Sequence, residues 1–230
     1  MFNRVAIAVL VLSVAACAAR HPRAVTPLPR AEAALQSLPA AGEYSIDSSG
    51  SELRLLVFRA GPLSGLGHNH VMVNRSLTGR VQIGAGVSTS SFSLRMRADG
   101  FVVDDAQSRQ EEGDDFPGDI AEDAKAGTKR NMLGSAVLNA AEFPDITVKS
   151  TSLSGTLNAL NADVEISAAG HTSRIAVPLS LQGDANHFTA VGLVELRQTA
   201  LGLTPYSLLH GALEVQDAMQ LKFKITVPTN

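Results

Sequence analysis

The sequence predicts an all-β fold with a small helical insertion: an antiparallel barrel of about eight strands, closed on itself. Three observations predict it. From Tyr44 onward, apolar and polar residues alternate with a period of two over much of the chain, the mark of strands with one buried and one wet face. Turn-forming clusters ("DSSGS", "GAGVSTS", "LSGTLN", "AAGHTS", "QGDAN") separate these stretches at regular intervals. A meander of this kind exposes two sheet edges unless it closes.

The elements follow in order. "YSID" at Tyr44–Asp47 opens the first strand, and "ELRLLVFRA" continues it with apolar residues on both faces in part, so its outer side is expected to be covered. "SLTGRVQIG" places Leu77, Val81 and Ile83 on one face; "SFSLRMRA" places Phe92, Leu94, Met96 and Ala98 opposite Ser91, Ser93, Arg95 and Arg97. "ADVEISA" gives Val164, Ile166 and Ala168, and "RIAVPLSLQ" gives Ile175, Val177, Leu179 and Leu181, with Pro178 marking an edge or bulge. "HFTAVGLVELRQ", carrying Phe188 and Val194, is again partly apolar on both faces. "AMQLKFKITV" is the clearest strand, with Met219, Leu221, Phe223, Ile225 and Val227 together on one side.

An insertion at about 104–142 breaks the pattern. Asp104 to Asp123 is acidic and reads as a solvated loop; it lacks the residue order of a calcium-binding loop. The following "AEDAKAGTKRNMLGSAVLNAAEF" reads as one or two short helices with Met132, Leu133, Val137 and Leu138 as the apolar set, Gly127 and Gly134 arguing against one long helix.

Upstream of the barrel, residues 1–17 read as a lipoprotein leader. Arg4 precedes an apolar run, Val5 to Val14, too short to span a bilayer, and small residues lead to Cys17. "VAAC" resembles the lipobox of bacterial lipoproteins, which implies acylation of Cys17, a membrane tether and, with Ala18 next, the periplasmic face of the outer membrane. Residues 18–42 read as an Ala/Pro-rich linker with one helical turn in "AEAALQSL", followed by a single barrel domain over 43–230. Cys17 is the only cysteine, so no internal disulfide forms. The chain carries 19 Lys+Arg against 22 Asp+Glu with no basic stripe, which argues against nucleic acid as a partner.

"GPLSGLGHNHVMV" at Gly61–Val73 carries the candidate polar site. His68 and His70, two residues apart on an extended chain, share one face. If the strand runs unbroken to Ile83, parity puts both opposite Val71, Val73 and Leu77, facing outward or at the rim, unless a bulge intervenes. Three uses are open: structural hydrogen bonding, contact with a ligand head at the barrel mouth, or a metal site with His210 as the third ligand. Two histidines alone do not close a zinc site. No nucleophile elbow, phosphate loop or paired-cysteine motif is present, so no catalytic residue is assigned and no cofactor is required.

"YSID", "GPLSGLGHNHVMV", "NMLGSAVLNAAEFPDITVKSTSL" at Asn131–Leu153 and "LGLTPYSLLHGALEVQDAMQLKFKI" at Leu201–Ile225 together resemble the YceI-like family of periplasmic proteins, over roughly Gly42 to the C-terminus. The resemblance implies a lipocalin-like barrel with an apolar interior that holds an isoprenoid or similar amphiphile, without catalysis. The acidic stretch before Phe143-Pro144 departs from the family pattern. On this reading the protein is a lipid-anchored binding protein for an apolar-tailed molecule such as an isoprenoid quinone or polyprenyl lipid. The expected tail-binding residues are Leu55, Val57, Phe92, Leu94, Met96, Ile175, Val177, Phe188, Val194, Phe223 and Ile225, with the head near His68, His70 and Tyr206. The alternatives are a metal-dependent or enzymatic site on His68 and His70, and a filled barrel serving as an envelope interaction module.

Overall fold

In a computed structural model of the chain, the described residues are 33–184 and 186–229; the leader, Cys17 and residues 18–32 of the linker lie outside them. The strands are β1 (Gly42–Ser45), β2 (Asp47–Val57), β3 (Arg59–Ala60), β4 (His70–Asn74), β5 (Thr78–Ile83), β6 (Ser91–Arg97), β7 (Val102–Val103), β8 (Asp145–Thr156), β9 (Ala159–Ala168), β10 (His171–Gly183), β11 (His187–Arg197), β12 (Ser207–Leu208), β13 (Leu213–Val215) and β14 (Ala218–Pro228). Two helices, α1 (Ala106–Glu112) and α2 (Glu122–Leu133), fall between β7 and β8. None is long and apolar enough to cross a membrane.

Eleven strands form one curled antiparallel sheet in the order β1-β5-β6-β8-β9-β10-β11-β14-β2-β4-β7, and β12-β13-β3 make a small second sheet. The strand count exceeds the expected eight partly because two continuous runs are interrupted. Ile46 alone separates β1 from β2, and residues 75–77 separate β4 from β5. The hairpin joining β9 to β10 turns on Ala169 and Gly170, both with positive φ, the twist such two-residue turns require. Pro178 falls just beyond the end of the β10–β11 ladder, which pairs only 180–183 with 188–191, a position that tolerates a residue with no N–H to give.

The interruption of the 70–83 run decides where the histidines point. At one end Gly42 pairs with Ile83 and the Ile46 amide donates to the Gly79 carbonyl; at the other, Leu53 pairs with Asn74 and Val57 with His70. Seven steps on one run therefore match five on the other, and each run changes facing parity across the irregular stretch. Met72 and Leu77 both enter the main core, whereas Val71 and Val73 join Leu56, Phe58 and Phe116 in a separate buried cluster. The expectation that His70 shares the face opposite Leu77 is thus corrected: His70 has the parity of Met72 and faces inward.

The second cluster is the expected outer cover. It is supplied by the acidic stretch, and here too the expectation of a solvated loop is corrected. Asp105 caps α1 by accepting the Ser108 amide proton. The last turn of α1 then lays Glu112 against Arg54 of β2 and Lys222 of β14, which project from the outer wall. Phe116 drops onto Phe58 with ring centroids 5.7 Å apart. Of the one or two short helices expected over 121–143, one is present, α2, which ends at Gly134.

The far end of the sheet is filled. Residues 33–38, expected to make a helical turn in the linker, instead run extended along β10. Ala34 bridges Gln182, the Leu35 amide donates to the Leu181 carbonyl, and Leu35 is only 4% exposed. Phe188, Ile225 and Val227 are buried in the same core. Gly192 stands opposite Phe223, and a Cβ there would come within 2.4 Å of the Phe223 ring, so glycine makes room for the ring.

Replacing Phe116 by Ala should cost about 3–4 kcal/mol, the usual penalty for emptying an aromatic site. Urea denaturation would read it as a lowered midpoint at unchanged slope.

Candidate functional site

The near end of the sheet is hollow. A cavity of about 400 Å³ opens there, within the range of small-molecule sites. Its walls come from inward residues of the strands: Leu53, Leu55 and Val57 of β2, Met72 of β4, Met96 of β6, Ile146 and Val148 of β8, Leu196 of β11, and Met219 and Leu221 of β14. Thr128 and Met132 of α2, with Val137 and Leu138 after it, close one side of the mouth. All four methionines after Met1 border this cavity; thioether side chains fill irregular space and adapt to different shapes.

The polar part of the wall is small: His68, His70, Tyr206, Gln198, Arg59, Glu214, Asn131 and Thr128. His70 is set by one buried carboxylate. Asp104 is 0% exposed and sits at φ 54°, a left-handed conformation that aspartate tolerates better than most residues. Its Oδ1 accepts from the Val71 amide at 2.9 Å and from Arg109 Nη1 at 2.7 Å; its Oδ2 lies 2.7 Å from His70 Nδ1. Arg109, almost fully buried, also donates to the carbonyls of Asn69 (2.8 Å), Pro117 (3.0 Å) and Gly118 (3.1 Å). Asn69, between the two histidines, points the other way: its amide donates to the Asp115 carbonyl and its carbonyl accepts the Arg59 amide proton. The sequence His-Asn-His thus alternates between cavity wall and loop clamp.

His68 packs edge-on against His70, centroids 4.5 Å apart, and its Nε2 stands 3.8 Å from Asp104 Oδ2, too far for a hydrogen bond. That Nε2 is buried with no hydrogen-bond partner among the described residues. Burial first, then the His70, Arg109 and Arg59 charges, hold the His68 pKa below its ordinary value against the pull of Asp104. For Asp104 burial alone would raise the pKa, but hydrogen bonds from His70, Val71 and Arg109, with the His70 charge, outweigh it and hold the carboxyl below the usual range.

Of the residues expected from sequence, Leu55, Val57, Met96, Tyr206, His68 and His70 border the cavity. Phe92, Leu94, Ile175, Val177, Phe188, Val194, Phe223 and Ile225 also face inward but lie in the packed core outside the cavity lining. Alternation reports facing and carries no information on depth. His210 is exposed at φ 56° in the Leu209–Gly211 turn and is outside the cavity lining. The His68, His70 and Asp104 ligand atoms lie within 4.8 Å of one another, a grouping to which His210 does not belong. Arg109 bonded to the same carboxylate opposes a cation there. Asp104, Arg109, Met72, Met132 and Met219 were not anticipated as site residues; for Met72 the sequence parity pointed outward, because the change of facing across residues 75–77 is not written in the segment itself.

Exposed large apolar side chains cluster at the mouth. Leu66 is 79% exposed and Leu209 69%, with Leu63 and Leu208 nearby in sequence. Their two loops are tied by the Leu63 amide donating to the Ala212 carbonyl, and Leu66 and Leu208 border the cavity.

The fold is thus a curled antiparallel sheet of the barrel class, packed at one end and hollowed into an apolar cavity with a histidine-bearing mouth at the other. The family model of the YceI-like domain matches residues 44–227, and the chain belongs to that family. Among solved structures it is similar to BcnA of Burkholderia cenocepacia, at 14% identity and TM-score 0.57, covering 79% of this chain and 98% of that one. It is also similar to a polyisoprenoid binding domain from Saccharophagus degradans implicated in plant cell wall breakdown, at 12% identity and TM-score 0.54, covering 81% and 98%. The YceI protein of Campylobacter jejuni matches at 8% identity and TM-score 0.50, covering 69% and 84%. No curated protein matches the chain.

Both shifted groups make the protein acid-sensitive. A pKa lower in the folded state means the unfolded chain binds the proton more tightly. The His68 contribution is therefore complete above its unfolded value of 6.5 and lost as pH falls through its folded value. That of Asp104 is complete above 3.8 and lost further into acid. Urea midpoints should be flat above about pH 7 and begin to decline as the pH falls below 6.5; a His68→Phe variant should lose that first decline and keep the second.

Proposed function

We propose that the protein binds an apolar-tailed amphiphile in its cavity and sequesters or carries it without bond chemistry, as a lipid-anchored protein of the periplasmic face of the outer membrane, tethered through Cys17. The observation that carries the binding reading is the cavity itself: a methionine-rich apolar hollow with a few polar groups at one end. Shape and chemistry match a greasy tail with a polar head. Family membership supports an isoprenoid-like ligand, as does the likeness to a domain described as polyisoprenoid binding.

The architecture we infer is an eight-strand closed barrel. Taken as single bent strands, 42–57 and 70–83 join β6, β8, β9, β10, β11 and β14 in a ring: 42–57 pairs with 70–83 on one side and, through β2, with β14 on the other. A barrel of this size has room for one small ligand, and here only the near half is free for it. Burying a methylene contributes about 0.8 kcal/mol, so a tail of about ten carbons gives roughly 8 kcal/mol gross before its ordering cost is subtracted. The leucines of the rim place apolar surface where a tail would leave a lipid surface and enter.

Organic extraction of the purified protein, followed by mass spectrometry, should yield a bound amphiphile at a fixed ratio to protein. Leu55→Trp or Met96→Trp should fill the cavity, abolish that yield and leave the far half of the barrel folded. An amphiphile retained equally by both variants would overturn the cavity assignment. The pair Leu63→Asp and Leu209→Asp, both outside the cavity lining, should slow uptake from vesicles several-fold while leaving affinity for a dispersed ligand unchanged.

A further inference from the structure

We infer that His70 is a fixed hydrogen-bond acceptor for the ligand head, so the cavity selects amphiphiles with a hydroxyl donor: an alcohol, phenol or hydroquinol, in preference to an ether, a quinone carbonyl or a phosphate. The inference rests on the cavity being an amphiphile site and adds the chemistry of the head.

The carboxylate of Asp104 fixes the tautomer. Held ionised against Arg109, it has lone pairs only, and its Oδ2 lies 2.7 Å from His70 Nδ1. The proton between them therefore belongs to Nδ1. When the imidazole carries this one proton and no second, the other nitrogen is bare, an acceptor with no N–H. That nitrogen, Nε2, makes no hydrogen bond among the described residues, and His70 is part of the cavity wall. The geometry is that of the carboxylate–histidine pairs that orient metal-bound imidazoles, here without a cation-friendly field.

The ring cannot swing to offer Nδ1 instead. Asp104 is clamped by the Val71 amide and by Arg109, and Arg109 by the carbonyls of residues 69, 117 and 118. His70 itself is anchored in β4 opposite Val57. A ligand that covers Nε2 without giving it a proton strands a buried acceptor, which is where polar sites discriminate most strongly.

The charges at the mouth do not favour a phosphate. Arg109 is spent on Asp104, and the cavity wall otherwise holds one cation, Arg59, and one anion, Glu214. Arg59 already donates Nη1 to the Gly67 carbonyl. Tight phosphate sites gather several charge-assisted donors.

The test uses the full chain, stripped of lipid, above about pH 8, where imidazoles ordinarily carry one proton, and three probes with one tail: farnesol, farnesyl methyl ether and farnesyl phosphate, each displacing a hydrophobic fluorophore. Farnesol should bind about tenfold more tightly than the ether, the worth of one desolvated hydrogen bond, and more tightly than the phosphate. His70→Phe should erase the alcohol–ether gap; His70→Gln, which restores an acceptor, should recover part of it. In ¹⁵N-labelled protein the His70 Nε2 signal should move on adding farnesol and stay in place with the ether. Equal binding of alcohol and ether by the wild type, or a gap that survives in folded His70→Phe, overturns the inference and leaves the cavity standing. Tighter binding of the phosphate does the same. If none of the probes displaces the dye, the proposed function falls and this inference with it. Should His70→Phe not fold, the wild-type ratio and the ¹⁵N signal decide.

Discussion

One buried carboxylate holds the functional end of this molecule together. Asp104 ends the β7 segment in a left-handed turn and meets three donors from two parts of the chain: Val71 and His70 in β4, and Arg109 in α1. Through Arg109 the same anchor reaches the loop after α1 and the backbone between the two histidines. The pair as a whole adds little net stability, because two ions lose their hydration to form it; removing either partner alone strands a charge and costs about 3–5 kcal/mol. Its value is geometric. It fixes the insertion to the rim, and with it the helix that covers the outer wall, the helix that closes the mouth and the orientation of His70.

That anchor also explains what could be read from the sequence. Strand identity and facing were legible, because a period of two is a local property: Phe92, Leu94 and Met96, or Met219 through Val227, face inward as their alternation requires. What depends on distant parts of the chain was not legible. The parity change across residues 75–77 arises from mismatched step counts on two paired runs, and no single segment records it. Arg109 and Glu112 look like surface charges by residue type, and only the fold gives each its partners. Helix α1 was missed because its segment carries almost no apolar residues; it is held by a cap, ion pairs and the single ring of Phe116 beyond it.

Stability and binding are divided along the barrel axis. The far half holds the larger aromatic fillings, Phe188 and Phe223, with Leu35 sealing the end; dense packing there supplies the burial energy that sustains the fold. The near half exchanges packing for space and is walled by four methionines. A cavity carries a cost in lost contacts, and flexible thioethers lessen it by relaxing into the hollow when empty and parting when filled. The uncovered leucines at the mouth fit the same division, since apolar surface left in water destabilises the monomer and is retained where something else covers it.

The two parts of the cavity would then contribute differently to recognition. Contacts between a tail and Leu, Val, Ile and Met walls scale with buried area and distinguish poorly between tails of similar size. A methylene more or less changes affinity by a modest factor. Discrimination has to come from the polar end, and there the wall offers few groups. Arg59 and Glu214 are opposite in sign, and His68 Nε2 is buried without a hydrogen-bond partner among the described residues. His70 is the group whose proton position is dictated by its surroundings. A site with one strongly specified polar group and adaptable apolar walls is suited to a class of head with varied tails, and specificity of that kind follows from the cost of leaving a buried acceptor unmet.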